Sequence, residues 1–344
     1  MNMEEILLEA GRRRASDVHM TVGVPVMYRV RGELQLGHGG PLTAAMTEEG
    51  VRQLMTPEQL QHFMNKRESD FSFELGGVSR YRVNAYRQKG SIGMAIRLIP
   101  ATVPRLEELG LPPIVKELAQ RPQGLVLVTG PTGSGKSTTL AAMIDHINRR
   151  RKGHIITLED PIEFVHGHKS CVVNQREIGA DTESFSVALR AALRQDPDVI
   201  LVGEMRDLET ILTAVTAAET GHLVFGTLHT ADAPQTVHRI IDMFPPESQS
   251  QIRAQLSAVL LGVLAQRLLP TADGQGRVAA METLVNTPAV ASLIRSDKVH
   301  QIRSVMQTGR AQGMQTFDLA LRELVQQQVI TTEAAKEAVF GFGE

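Results

Sequence analysis

The sequence predicts an α/β protein: a larger domain built on a parallel β-sheet, preceded by a smaller α+β domain and followed by a helical region. In the larger domain, short apolar runs typical of buried strands alternate with amphipathic helical segments, and the runs end in polar loops. In the first hundred residues, apolar and polar side chains alternate with a period of two, which predicts an antiparallel sheet. The chain has 344 residues, the length of about two domains. We expect an α+β domain at 1–99, a hinge linker at 100–113, an α/β domain at 114–288 and a helical region at 289–344.

The amino-acid composition excludes several classes of protein. The chain has 36 Lys and Arg against 38 Asp and Glu, so no broad basic surface indicates nucleic-acid binding. Its single cysteine, Cys171, rules out an internal disulfide framework and a four-cysteine zinc module, and a small buried apolar residue is a better interpretation of it than a nucleophile. No apolar run reaches about 18 residues, and the N-terminus does not have the pattern of a signal peptide. We therefore expect a cytoplasmic protein without membrane insertion.

The first domain shows helix and strand periodicities in turn. Residues 3–14 and 47–66 predict two amphipathic helices. Residues 17–36 predict two strands joined by a turn at 23–25. Three further strands are expected around 71–75, 81–85 and 92–98, with a turn at Gly76-Gly77 between the first two.

Three arginines of this domain are expected on one face of the sheet. Arg80 and Arg82 alternate with apolar residues of their strand, and Arg97 alternates in the same way on the last strand. Guanidinium groups in a domain tied to a nucleotide site could bind phosphate. A solvated face paired with acidic residues fits the pattern equally well.

The linker that follows is rich in proline. Prolines occur at 100, 104, 112 and 113. Such a restrained hinge would let the small domain close over a bound nucleotide.

A glycine-rich loop lies between a predicted buried strand at 124–129 and a predicted helix at 138–147. The loop matches G-x-x-x-x-G-K-[ST], in which backbone N–H groups and the helix N-terminus face phosphate oxygens. Lys136 is expected to reach the β- and γ-phosphates, and Ser137 to bind Mg²⁺. A turn without a ligand would show the glycines but not the whole motif, so we predict a site for a nucleoside triphosphate. The nucleotide-binding residues are Gly130, Pro131, Thr132, Gly133, Ser134, Gly135, Lys136, Ser137 and Thr138.

Acidic residues follow two further predicted strands. The strand at 154–158 leads into E-D-P-I-E, which ends at Glu163, and carboxylates there could orient Mg²⁺ or take a proton from water. The apolar run at 199–202 leads to Glu204, with Gly203 where such ATPases commonly carry aspartate. The metal is therefore expected to depend mainly on Ser137, phosphate oxygens and water, with Glu204 in support.

Two histidines bound the next predicted strand, at 221–230, which follows a helix predicted at 208–219. His229 is expected at the nucleotide side, because neighbouring parallel strands also end in polar residues. For His222, a structural and a functional role are equally compatible with the sequence. The succession of strands and helices predicts a parallel sheet with the site at its carboxyl edge.

The remaining segments are predicted to be helical. Residues 183–196 and 249–268 show helical periodicity, the second as one long helix. In the tail from 289 onward, Phe317, Leu321 and Leu324 form an apolar stripe that fits packing better than membrane binding.

Several long motifs occur in the order found in one family of motors. With them the chain resembles the secretion and type IV pilus ATPases, and within that superfamily it is most similar to the retraction ATPases of type IV pili. The resemblance covers nearly the whole chain and includes the motifs at 16–19, 80–86 and 313–318. Its main motifs are G-P-T-G-S-G-K-S-T at 130–138, T-L-E-D-P-I-E-F at 157–164, N-Q-R-E-I-G at 174–179, A-L-R-Q-D-P-D-V-I-L-V-G-E-M-R-D at 192–207 and T-A-A-E-T-G-H-L-V-F-G-T-L-H-T at 216–230.

The resemblance implies an architecture and a set of roles. Each subunit of a homohexameric ring would have a PAS-like N-terminal domain and a RecA-like P-loop ATPase domain. Glu163 would polarise the attacking water, and Glu204 would support Mg²⁺. His222 and His229 would couple the γ-phosphate to domain movement. Arg80, Arg82 and Arg97 match the region that supplies arginines to the phosphates.

The resemblance also implies a biological role: ATP-driven pilus retraction and twitching motility, at the inner face of the cytoplasmic membrane. The expected partners are an inner-membrane platform protein and an accessory retraction ATPase. One motif departs from the family, because 289–295 reads A-V-A-S-L-I-R where retraction motors carry A-I-R-N-L-I-R. Ala291 and Ser292 thus replace arginine and asparagine. We expect this replacement to affect retraction and to leave ATP hydrolysis unchanged.

Four alternatives remain open at this stage. A pilus assembly or type II secretion ATPase would usually carry a longer N-terminal region and a zinc insert. An accessory retraction ATPase fits the altered motif at 289–295. A ring translocase for nucleic acid would need a basic channel, against which the near-neutral charge argues. A nucleotide-gated adaptor without hydrolysis would not need Glu163 and Glu204.

Overall fold

The computed structural model describes residues 1–76, 79–100 and 102–340, which fall into two compact units. The first unit comprises Met1–Thr102 together with the short segment Glu163–Val165. The second comprises Val103–Ile162 and the chain from His166 onward. The chain therefore leaves the second unit for three residues and then returns to it.

The first unit is an antiparallel sheet with three helices. Its sheet has the order β3-β2-β1-β6-β5-β4. Val18, Tyr81, Val83 and Ile96 are fully or nearly fully buried on its core face. The elements are α1 (Met3–Arg12), β1 (Asp17–Met20), β2 (Met27–Val30), β3 (Glu33–Leu36), α2 (Ala44–Leu54), α3 (Pro57–Lys66), β4 (Glu68–Leu75), β5 (Ser79–Gln88) and β6 (Ser91–Ile99).

Two predictions for this unit were wrong in detail. Residues 17–36 form three strands, because a second reversal at Arg31-Gly32, both with positive φ, separates β2 from β3. The helix predicted at 47–66 is two helices, because Thr56 caps a new helix whose first residue is Pro57. The three later strands are confirmed, and the predicted Gly76-Gly77 turn lies partly outside the described residues.

The second unit carries the predicted parallel sheet, in the order β13-β12-β7-β11-β10-β8-β9. Its strands are parallel except β13, which runs antiparallel to β12 at one edge. The elements are α4 (Pro113–Ala119), β7 (Gly124–Thr129), α5 (Lys136–Asn148), β8 (Gly153–Glu159), β9 (Cys171–Glu177), α6 (Phe185–Ala192), β10 (Val199–Val202), α7 (Leu208–Glu219), β11 (Leu223–Leu228), α8 (Ala233–Asp242), α9 (Pro246–Val259), β12 (Leu260–Pro270), β13 (Arg277–Val285), α10 (Pro288–Arg295), α11 (Ile302–Thr308), α12 (Phe317–Gln326) and α13 (Thr332–Phe340).

The largest error of the sequence analysis concerns the long helix predicted at 249–268. Helix α9 ends at Val259, and the chain continues directly as strand β12 from Leu260. Strand β12 lies between β7 and β13, and its stretch 260–265 is apolar on both faces, so hydrophobic periodicity does not distinguish that stretch from a buried helix. Strands β9 and β13 and helix α8 were also missed.

Apolar side chains cover both faces of the sheet. One core packs helices α6 to α11 against one face, and the other packs α4 and α5 against the opposite face. Cys171 is 3 % exposed and lies in the second core, as predicted, and burial raises the pKa of its thiol. The tail is helical as expected, and Leu321 packs with Phe317 and Leu324 in a small separate core. Among the described residues, no helix combines the length and the hydropathy needed to cross a membrane.

Candidate active site

Four loops meet at the carboxyl edge of the parallel sheet. They follow β7, β11, β10 and β8, which are neighbours in that order. Gly130, His229 and Glu204 each lie within two residues of the end of their strand, and Glu159 is the last residue of β8. The carboxyl ends of parallel strands share one edge, so the order of the strands brings these loops together.

The phosphate loop depends on glycines whose backbone other residues rarely adopt. Gly130, Gly133 and Gly135 have φ angles of 138°, 78° and 87°. A Cβ atom at Gly130 would lie 2.2 Å from the carbonyl oxygen of Gln266, and one at Gly135 would lie 2.8 Å from its Nε2. The motif therefore has two physical reasons for its glycines: the backbone conformation and the close approach of β12.

The loop leads into α5 with the features of an anion site. The N-cap residue, Gly135, provides no side-chain hydrogen bond to the first turn of α5. The N–H groups of that turn can therefore bind an anion at the positive end of the helix. The hydroxyl of Ser134 is buried and has no hydrogen-bond partner in the described part of the chain. Lys136 Nζ donates to the carbonyl oxygens of Gly130 and Pro131, at 2.8 and 3.0 Å. These groups fit the phosphates of a nucleotide.

Gln266 supports this loop and was missed by the sequence analysis. Its side chain is buried on β12, where Nε2 donates to the Ser134 carbonyl at 2.9 Å. Its Oε1 accepts a hydrogen bond from the Thr139 hydroxyl at 2.7 Å. One amide thus connects the loop to the first turn of α5. A polar residue directly after the apolar run 260–265 was the available signal, but the assignment of that run to a helix concealed it.

Replacing Gln266 with leucine should weaken nucleotide binding. The change leaves a buried carbonyl and a buried hydroxyl without partners, at a cost of about 1–3 kcal/mol each. We expect at least a tenfold rise in the dissociation constant of a fluorescent ATP analogue, together with a lower melting temperature. The exposed Gln312, changed to leucine, is the matched control. Unchanged affinity in the Gln266 variant would show that the loop does not depend on this amide.

A cluster of charged groups follows β10 and β11. Glu204 Oε1 lies 3.0 Å from His229 Nε2 and also contacts Arg206 Nε. Burial alone would raise the pKa of Glu204, but the contacts with Arg206 and His229 outweigh it and lower that pKa. Glu204 is therefore an ionised carboxylate at neutral pH. A cavity of about 560 Å³ adjoins the cluster and is also lined by Thr230, Gln235 and Arg239.

The acidic loop after β8 begins at Glu159, which is bound within the second unit. Its Oε1 accepts hydrogen bonds from Thr157 Oγ1 at 2.6 Å and Gln175 Nε2 at 3.1 Å. Glu163 belongs to the segment that is part of the first unit. Its role as the base stays a prediction.

The structure does not bring His222 to this edge. His222 precedes β11 and His229 follows it, so the six residues of the strand separate them, a rise of roughly 20 Å. The Nδ1 atom of His222 lies 2.9 Å from the Ala217 carbonyl, at the end of α7. The two histidines are thus at opposite ends of β11.

Arg82 and Arg97 are exposed on the face of the first unit's sheet opposite its core, as predicted from alternation, whereas Arg80, which alternation puts on the same face, is partly buried. Arg82 and Arg97 are direct cross-strand partners. Each has a carboxylate nearby, with Arg82 Nε 3.7 Å from Asp70 Oδ1 and Arg97 Nε 3.0 Å from Asp17 Oδ1. Exposed pairs of this kind contribute about 0–1 kcal/mol, so both interpretations of the face stay open. The phosphate contacts of Arg80, Arg82 and Arg97 remain predictions.

His166, at the far end of the acidic loop, should make stability depend on pH. Burial lowers its pKa to about 4, whereas the unfolded chain titrates near 6.5. Stabilisation is therefore complete above about pH 6.5 and is lost as the pH falls toward 4, because the unfolded chain binds a proton that the folded chain does not. We expect about 2 kcal/mol of this loss between pH 7.5 and pH 5 in urea titrations.

A His166→Leu variant should lack that part of the pH dependence. The exposed His300, changed to leucine, should keep it. Equal pH dependence in the His166 variant and the wild type would contradict the assignment.

Comparison with known proteins places this geometry in context. Residues 2–339 match the family described as type II/IV secretion system protein. The chain is 51 % identical over 337 residues to the type IV pilus retraction ATPase PilT of Pseudomonas aeruginosa. The matched region covers 98 % of this chain and 98 % of that one. It is 53 % identical over 310 residues to a twitching motility protein of Neisseria gonorrhoeae, covering 90 % of this chain and 83 % of that one. A crystal structure of the pilus retraction motor PilT with bound ADP superposes with a TM-score of 0.92 at 49 % identity, over 98 % of this chain and 97 % of that one.

Proposed function

Because the chain belongs to the type II/IV secretion system protein family, we propose that it is an ATP-hydrolysing motor that powers the retraction of type IV pili. The observation that carries the proposal is the phosphate loop, supported by Gln266, in a chain that matches a pilus retraction ATPase over 98 % of its length. Release of inorganic phosphate from ATP by the purified protein tests the catalytic part. An absence of hydrolysis at any protein concentration would contradict it.

Nucleotide binding rests on the loop after β7. The N–H groups at the start of α5 and the left-handed glycines surround the β-phosphate, and Lys136 exchanges its loop carbonyls for phosphate oxygens. Pro131 and Thr132 are exposed on the rim of the loop, and Thr138 lies in the first turn of the helix. A lysine held by carbonyl oxygens is already desolvated in part, which favours its transfer to a charged acceptor.

Mg²⁺ would be held by the Ser137 hydroxyl with support from Glu204. Both side chains offer oxygen ligands, which Mg²⁺ prefers, and Glu204 is ionised. Among the described residues, no three His, Cys, Asp or Glu side chains form a metal cluster, so nucleotide oxygens and water complete the shell. Bound Mg²⁺ neutralises charge on the transferred phosphoryl group.

Hydrolysis requires a base and a group that responds to the γ-phosphate. Glu163 takes the proton from the attacking water. His229 lies 3.0 Å from Glu204 and is positioned to respond to loss of phosphate beside that carboxylate. His222 lies at the amino end of β11, away from Glu204 of its own subunit. Any part that it plays in coupling therefore involves contacts at that end of the sheet.

The working form is a homohexameric ring, and activity should fall on dilution. The phosphate loop of one subunit supplies one lysine to the γ-phosphate, and such sites often take arginines from another domain or subunit. Arg80, Arg82 and Arg97 are the candidates. We expect specific ATPase activity to decrease as the protein is diluted below the concentration at which light scattering shows dissociation. A monomer with full specific activity would contradict the ring.

The partners follow from the same proposal. The motor acts in the cytoplasm at the inner face of the membrane, on an inner-membrane platform protein that releases pilin subunits. An accessory retraction ATPase is a further partner. The altered motif lies on α10, where Ala291 is buried and Ser292 is exposed, so only the second change is at an exposed position.

A further inference from the structure

The motif N-Q-R-E at 174–177 ends strand β9 and contains Gln175, the hydrogen-bond donor to Glu159 described above. Gln175 and Glu177 are two residues apart, so their side chains leave the same face of the strand. In the parallel register, Gln175 pairs with Thr157 of β8 and Glu177 pairs with Glu159. Four polar residues therefore share one face at the carboxyl edge of the sheet.

Two of these side chains bind the backbone of the acidic loop. Gln175 Oε1 accepts a hydrogen bond from the His166 N–H at 2.7 Å, while its Nε2 donates to Glu159. Glu177 Oε2 accepts a hydrogen bond from the Ile162 N–H at 3.1 Å. Glu177 is only 6 % exposed, and Ile162 is also buried, so water does not replace this bond easily.

The two bonds lie on either side of the predicted base. Ile162 immediately precedes Glu163, and His166 follows it after Phe164 and Val165. They are also the residues at which the chain leaves the second unit and returns to it. We propose that Gln175 and Glu177 are positioning residues that fix both ends of the loop carrying Glu163. The proposal rests on the proposed function, in which Glu163 activates water.

The physical reason is the precision that proton transfer demands. A misplacement of about 1 Å at a catalytic group can reduce the rate by roughly 100-fold. A three-residue segment between two fixed amides has little freedom, whereas one with a released end can move without disturbing the phosphate loop. Loss of either side chain should therefore lower turnover and leave nucleotide affinity intact.

The experiment compares three variants of the full chain by phosphate release and by titration with a fluorescent ATP analogue. In Glu177→Leu and in Gln175→Leu, kcat should fall by about 10- to 100-fold, with the dissociation constant changed less than about threefold. Glu177→Gln keeps an oxygen acceptor for the Ile162 N–H and should keep kcat within about threefold of the wild type. If affinity falls together with kcat in both leucine variants, the two residues support the unit in general and the proposal fails.

A double-mutant cycle tests whether the effect passes through Glu163. In a Glu163→Gln background, Glu177→Leu should change the residual rate less than about twofold, because the group that it positions is already gone. A second drop of the same size as in the wild type would overturn the proposal while leaving ATP hydrolysis by the chain intact. If Glu163→Gln alone has no effect on the rate, Glu163 is not the base. The positioning proposal, which depends on that role, is then overturned as well.

Hydrogen exchange provides a readout that does not depend on activity. In Glu177→Leu, amides of the peptide containing Ile162 should exchange at least tenfold faster than in the wild type, whereas those of 124–140 should not change. Unaltered exchange at Ile162 would show that the carboxylate does not hold this amide.

Discussion

Replacing Lys136 with alanine is expected to abolish nucleotide binding and, with it, hydrolysis. The lysine is the cation of the phosphate loop, and charge-assisted hydrogen bonds to phosphate contribute about 1.5–3 kcal/mol each. The loss of two such bonds predicts a 100-fold or greater rise in the dissociation constant for ATP. The fold should persist, because Lys136 is partly exposed and donates its hydrogen bonds to backbone carbonyl oxygens of the phosphate loop, which water can replace as donors. Titration with a fluorescent ATP analogue, alongside thermal unfolding, measures both effects.

Lys152 provides the control for this prediction. It is an exposed lysine of the same unit, in the turn after α5. Lys152→Ala should bind nucleotide like the wild type. An affinity for ATP within twofold of the wild type in Lys136→Ala would remove the lysine from the phosphate site.

The second large effect is expected for Glu163→Gln. Glutamine keeps the size and the hydrogen-bonding shape of the side chain but cannot accept the proton of the attacking water. We expect kcat for phosphate release to fall by about 100-fold or more, while affinity for ATP stays within about threefold of the wild type. The separation of binding from turnover is what distinguishes loss of a base from loss of the fold.

Two further variants make this result interpretable. The exposed Glu183, changed to glutamine, controls for the loss of one negative charge and should behave like the wild type. Glu204→Gln should raise the Mg²⁺ concentration needed for half-maximal activity, because an anionic group that supports the cation is lost. Near-normal turnover in Glu163→Gln with a large loss in Glu204→Gln would reassign the base to Glu204.

Local signals in the sequence were sufficient for most elements of the second unit. The helix predicted at 208–219 has those bounds in the structure, because Asp207 caps its first turn and a Thr220-Gly221 pair follows its end. The phosphate loop was equally predictable, since its glycines, lysine and flanking elements form one contiguous pattern. Parallel pairing then followed from the alternation of strands and helices.

What the sequence did not reveal depends on contacts between distant residues. Strand β12 looks like a continuation of α9, and only its pairing with β7 and β13 makes it a strand. Because β12 was not recognised, Gln266 was missed as well. It is 127 residues from Thr139, whose hydroxyl donates to it. Gln175 and Glu177 were likewise missed as site residues because β9 was not recognised. His222 resembled His229 in the sequence, but the length of β11 separates them.

The length and movement of pili on living cells test directly whether this protein is a retraction motor. Pili are imaged on cells lacking this protein and on cells complemented with the wild-type chain or with Glu163→Gln. If the protein is the retraction motor, pili should be long and static without it and with Glu163→Gln, and retraction should be restored by the wild-type chain. Cells without pili in its absence would instead indicate an assembly motor, and retraction that continues unchanged would assign the main motor to another protein.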